Sequence, residues 1–107
     1  MGEHTIKFPE NVYIRGKLWA VFVVAGLRDA EDDPVLGICK YNRRTIEIEA
    51  DQTDDSKLEV FFHEIAHAYA FLTPIPGLAD GYHEAICDHF ASYLVDFLGT
   101  NDTGWMR

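Results

Sequence analysis

The sequence predicts an α+β domain: a twisted antiparallel or mixed sheet of three or four strands, with two helices on one side. Three observations carry that prediction. In the first fifty residues short runs of β-branched and aromatic residues are broken by turn signals, and Ile46 to Glu49 alternates with period two, whereas from Asp51 onward the period becomes 3.6. The period changes once, so strands come first and helices follow. The 107 residues are 48% hydrophobic, with seven Phe, five Tyr and two Trp, enough side chain for a real core within one domain, 1–107.

The sheet should occupy about residues 12 to 50. Val12 to Ala25 comprises two runs of β-branched and aromatic residues broken by Arg15-Gly16, a hairpin signal with Gly16 at positive φ. Asp29, Glu31, Asp32, Asp33 and Pro34 read as a solvated loop, because like charges repel and Pro34 lacks a backbone donor. Gly37 to Tyr41 and Thr45 to Ala50 flank Asn42-Arg43-Arg44. The second run alternates Ile46, Glu47, Ile48 and Glu49, so it reads as a half-buried strand at a sheet edge, its glutamates discouraging aggregation. The apolar run Leu18 to Val24 fits a strand covered on both faces or a subunit contact, and leaves the oligomeric state open.

The first helix is expected from about 54 to 72. Thr53 or Ser56 can cap it, and Ser56-Lys57-Leu58-Glu59 has the spacing of a capping box. Leu58, Phe61, Phe62, Ile65, Tyr69 and Leu72 fall on one face, with His63 and His67 opposite among Val60, Ala66, Ala70 and Phe71. A helix apolar on both sides should be covered on both sides and central. Pro74, Pro76, Gly77 and Gly81 end it. A last helix should run from about Tyr82 or His83 to Leu98 and stop before Gly99, with Asn101 to Arg107 frayed.

Charge narrows the function classes. The net charge is −9, about −1 over residues 1 to 50 and about −8 beyond, which speaks against a nucleic-acid backbone as partner. The longest apolar stretch, Leu18 to Gly26, is far shorter than the roughly twenty residues of a bilayer span, so no membrane is expected. No basic leader with an apolar stretch opens the chain, and Cys39 and Cys87 alone make no disulfide framework; reduced thiols in a cytoplasm are the plain expectation. Both cysteines read as packing residues. For the same reason Asn101-Asp102-Thr103, a glycosylation pattern, reads as chance.

His63-Glu64-Ile65-Ala66-His67 is an H-E-x-x-H pattern on a predicted helix. Residues four apart stand one above the other, so two imidazoles can reach one tetrahedral ion. Glu64 projects about 100° round from His63, where a carboxylate can take a proton from water that the ion activates. The bland alternative is two helix histidines with a solvated glutamate. A catalytic zinc needs a third protein ligand. Ala70 and Thr73 stand where a metzincin would have Gly and His, so the better candidate is Glu84 on the next helix. Asp88, Ala91 and Val95 fall within about 40° of Glu84 on the helical wheel, giving two carboxylates on a small, apolar face that could pack on the histidines. Burying both without partners would cost several kcal/mol. Glu84 on the metal, with Asp88 accepting the free N–H of a liganding histidine, would satisfy both. Glu84 could also be a helix N-terminal acid favoured by the dipole, and His83 could replace it as ligand. His89 reads as a surface residue, and nothing places His4.

The order of hairpin, Ile46-Glu47-Ile48 strand, H-E-I-A-H helix and a short loop to a helix bearing Glu84 resembles small phage-encoded metallopeptidase-like proteins. These are similar to minimal gluzincins and, more distantly, to the peptidase domain of the ImmA/IrrE proteins. The resemblance spans about Val12 to Leu98 and rests on His63, Glu64, His67 and Glu84. It implies one zinc per chain held by His63, His67 and Glu84, with Glu64 as general base and Asp88 as the acid behind the ligands; the larger gluzincins polarise the carbonyl from a further helical subdomain, and the resemblance assigns no residue here to that task, Tyr82 being a guess outside it. It also implies that Thr45 to Ala50 is the edge strand that holds an extended peptide.

Two functions follow. The first is a zinc-dependent metallopeptidase acting on a peptide or protein substrate, in the cytoplasm of a bacterial host if phage-encoded. The second is a module that keeps the gluzincin fold but acts by binding a host or phage protein. A purely structural metal site would need a fourth protein ligand, with His83 the nearby supply. Glu47 and Glu49, if they point outward from an edge strand, would favour a basic segment beside it.

Overall fold

The computed structural model describes residues 6–72, 93, 94 and 96–106. Four strands, β1 (Asn11–Ile14), β2 (Lys17–Val24), β3 (Gly37–Lys40) and β4 (Thr45–Glu49), precede a long helix, α1 (Asp54–Leu72). Residues 93, 94 and 96–100 are helical, and 3-10 turns occupy Tyr41–Arg43 and Gly104–Met106. The α+β expectation holds at this level: a four-stranded mixed sheet with a long helix packed on it and a short C-terminal helical segment.

The strand order is β1-β2-β4-β3. Both residues of the β1–β2 turn have positive φ, Arg15 at 51° and Gly16 at 76°, the twist that matches a two-residue hairpin. β2 runs parallel to β4, and β3 antiparallel to it. The loop between β2 and β3 therefore carries the chain past the lane that β4 fills. It stays folded because Asp29 Oδ1 accepts the N–H groups of Glu31 and Asp33 while the Glu49 carboxylate accepts those of Gly26 and Leu27.

Pairing on both sides makes β4 an inner strand, which corrects the expectation that Thr45 to Ala50 forms an edge. Its alternation marks one wet face. On that face Glu47 pairs with Lys40 at 3.1 Å, and Glu49 is engaged by backbone donors, so neither glutamate is free to recruit a basic segment. The edges are β1 and β3. β2 is also an inner strand: Trp19 and Val21 are buried, while Leu18 and Phe22 are about half exposed on the opposite face.

α1 begins where the sequence places it. Thr53, and not Ser56, caps it, with its Oγ1 accepting the Ser56 N–H at 3.2 Å. Phe61, Ile65, Ala68 and Tyr69 are buried against Val12, Ile14, Trp19, Val21, Ile46 and Ile48, each large side chain contributing about 1.5–3 kcal/mol over exposure. Tyr93 and Phe97 join the same core, and Tyr69 Oη donates to Asp96 Oδ2. Cover of the second face of α1 includes Tyr41, stacked on Phe71 with ring centroids 4.5 Å apart, although Phe71 remains exposed.

The tail is not frayed through Met106, and the helical segment passes Gly99 to reach Thr100. Asn101 bonds the backbone of Tyr13, and Trp105 packs on Phe8 and Phe61 at 5.1 and 5.4 Å. No described helix is long and apolar enough to cross a membrane.

Candidate metal centre and groove

α1 brings His63, Glu64 and His67 together by its own periodicity. The histidines stand one turn apart, their rings edge to face, with Nε2 atoms at 3.1 Å. Two nitrogens bound at about 2.05 Å to one tetrahedral ion stand about 3.3 Å apart, so these rings already lie near the separation that a shared zinc requires. Without metal, one Nε2–H donates to the other ring's lone pair. Burial, then the neighbouring His63, lower the pKa of His67, which favours the neutral ring that a metal requires.

Glu64 is not the solvated residue of the bland alternative. It is 7% exposed, and no described residue donates a hydrogen bond to its carboxylate. Burial raises its pKa, and His63 partly offsets the rise. A buried carboxylate without a donor is costly unless it has a task, and a raised pKa suits a proton acceptor at neutral pH.

Among the described residues, β3 contributes to this burial. A Cβ on Gly37 would run into Val60 Cγ1 and would stand 3.1 Å from Glu64 Oε2, so glycine is what lets the strand lie this close to the helix. Cys39, next on the same face, has its thiol pushed up to about 12 by burial and by the Glu64 carboxylate. The Glu49 N–H bond to the Leu36 carbonyl at 2.9 Å fixes the phase of the β3–β4 ladder. By the alternation of an antiparallel pair, the N–H and C=O of Gly37 and Cys39 then point away from β4, toward the open edge.

A groove of about 440 Å³ lies beside that edge, with Val35, Leu36 and Gly37 on one wall and Glu59, Val60, His63 and Glu64 on the other. Of these, His63 and Glu64 are legible as site residues in the H-E-x-x-H pattern. Gly37 carried a usable signal, a glycine opening an apolar strand, which marks a close backbone approach. The groove partners Val35, Leu36 and Glu59 carried none, because they depend on which strand is outermost.

Glu84 and Asp88 lie outside the described residues, as do Tyr82, His83, Cys87, His89 and His4. Among the described residues no third metal-binding side chain joins the two histidines. The pair fits zinc as two ligands of a larger set. No family model, no curated protein and no solved structure matches this chain.

Proposed function

We propose that the chain is a zinc-dependent peptidase of gluzincin type. The observation that carries the reading is the buried, unpartnered Glu64 carboxylate beside two imidazoles whose Nε2 atoms stand 3.1 Å apart. In this reading His63, His67 and Glu84 hold one zinc, and Asp88 accepts the free ring N–H of a liganding histidine. When bound, zinc supplies Lewis acidity, polarising the scissile carbonyl and lowering the pKa of water to about 7.

Glu64 accepts a proton from the attacking water and returns it to the leaving amine nitrogen. An extended peptide adds to β3, hydrogen-bonding the outward N–H and C=O of Gly37 and Cys39, which places its backbone beside Glu64. The strand that receives it is thus β3 and not Thr45 to Ala50. A cytoplasmic location, in a bacterial host if the chain is phage-encoded, belongs to the same proposal.

The test is metal content by elemental analysis of protein purified without chelator, followed by peptide hydrolysis. The expected outcome is about one zinc per chain, lost in His63→Ala and in Glu84→Ala. Glu64→Gln should keep the zinc and lose turnover. Folded parent protein that stays metal-free with zinc added, or a Glu64→Gln variant that cleaves as fast as the parent, sinks the reading.

A further inference from the structure

The histidine ridge of α1 continues toward the helix N-terminus as an acidic one. Asp55, Glu59, His63 and His67 follow one another at four-residue spacing, so their side chains line up along one ridge about 6 Å apart. Asp55 and Glu59 are exposed, and neither forms an ion pair with a described residue. Glu59 also lines the groove, where the other charged side chain is Glu64. A neighbouring cavity of about 510 Å³ shares Val35 and Leu36 with the groove; of its two acids Glu49 is taken up by backbone N–H groups, and Asp51 is exposed. Among the described residues neither hollow is lined by Lys or Arg. The walls between the acids are apolar, and Leu36 is 54% exposed. Into the groove faces Glu64, 7% exposed as a residue and without a hydrogen-bond donor among the described residues, a polar group left for a ligand to meet.

We propose that the segment bound here is a basic, extended peptide. An apolar side chain lies on Val35, Leu36 and Val60, and a Lys or Arg about two residues away reaches Glu59, with Asp55 extending the field one turn further. The spacing follows from the rise of about 3.4 Å per residue of an extended chain against the ridge interval of about 6 Å. An acidic peptide would meet Glu59 and Asp55 as like charges in the same place. The proposal rests on the reading of this groove as the peptide site, and adds the class of substrate.

The experiment measures fluorescence anisotropy of three labelled nonapeptides on the zinc-supplemented Glu64→Gln chain. The peptides share a central leucine and carry Lys, Gln or Glu two residues away on both sides. The Lys peptide should bind about fivefold or more tightly than the Gln peptide at low salt, the Glu peptide more weakly still, and added salt should compress the series. Adding Glu59→Lys should reverse the order, and Glu59→Gln should flatten it. Glu10→Lys, the same charge change beside the opposite edge of the sheet, should leave it intact. No binding, an order indifferent to Glu59, or equal loss in Glu10→Lys overturns the proposal. The parent chain separates this from the peptidase reading. Cleavage of all three peptides at one rate removes the charge preference and keeps the peptidase. A Glu59-dependent preference without cleavage keeps the recognition and removes the peptidase.

Discussion

Asn101 closes the free edge of β1 by bonding the peptide groups of Tyr13 on both sides, its Oδ1 accepting from Tyr13 N at 2.8 Å and its Nδ2 donating to Tyr13 O at 2.9 Å. One side-chain amide thus does for Tyr13 what a neighbouring strand would do. Gly37 and Cys39 on β3 have no such cover among the described residues, so the sheet offers its unpaired backbone on the side where Glu64 lies.

Asn101→Ala should therefore lower stability by about 0.5–1.5 kcal/mol, since it removes two exposed bonds to the Tyr13 backbone and a part-buried one to Phe97 O at 3.0 Å. Urea denaturation measures it. A loss below about 0.5 kcal/mol would mean that the bonds are replaced by water at no cost.

Gly37→Ala should cost about 1–3 kcal/mol through overpacking, because the new methyl meets Val60 and the Glu64 side chain. Val60→Ala makes room for it. The double variant should be more stable than the sum of the two single losses, a coupling that thermal melts of the four proteins resolve. Strict additivity would show that the strand and the helix are not in register at this point.

Cys39 should be a sluggish thiol. Raising its pKa from 9.0 to about 12 cuts the thiolate fraction at pH 8 by about a thousandfold, and the thiolate is the reactive form. In a Cys87→Ser chain, native protein should react with a disulfide reagent far more slowly than denatured protein. Equal rates would place Cys39 in water.

Glu49 sets an acid limit on the loop before β3. The N–H of Asp51, then those of Leu27, Gly26 and Ala50, hold its pKa below the ordinary carboxylate range. A depressed folded-state pKa contributes stability above the unfolded value of about 4.3, and that stability is lost as pH falls through the lower folded value. The melting-temperature gap between parent and Glu49→Gln should be constant near neutrality and shrink below about pH 4. A gap that persists to about pH 2 contradicts this assignment.

The elements whose information is local were legible. The helix over 54 to 72 follows from its period and from Thr53, and the hairpin from Arg15-Gly16, because each depends on neighbours in the chain. The edge assignment failed for a physical reason: alternation in Ile46-Glu47-Ile48-Glu49 reports that one face is wet, and says nothing about whether hydrogen-bonding partners lie on one side or two. Lys40 and the Gly26-Leu27 backbone occupy the two glutamates, and neither is visible from spacing. The tail was misread because its anchors, Asn101 on Tyr13 and Trp105 on Phe8, join opposite ends of the chain. Of the candidate site, His63, Glu64 and His67 came from the motif. The closeness of Gly37, which helps to bury Glu64, came from packing.

The parallel seam between β2 and β4 also orders the events of folding. β1 with β2, and β3 with β4, are hairpins closed by short turns, and such units form in about 1–10 μs. Their union at Ala20 and Thr45 must close the whole intervening stretch before any seam contact offsets the lost chain entropy. Substitutions that weaken the seam, such as Ile46→Val, should slow refolding, whereas Asn101→Ala should chiefly quicken unfolding. Stopped-flow chevrons distinguish the two. The seam that brings β3 to the groove side should thereby set the folding rate, and the groove between β3 and α1 should be assembled last.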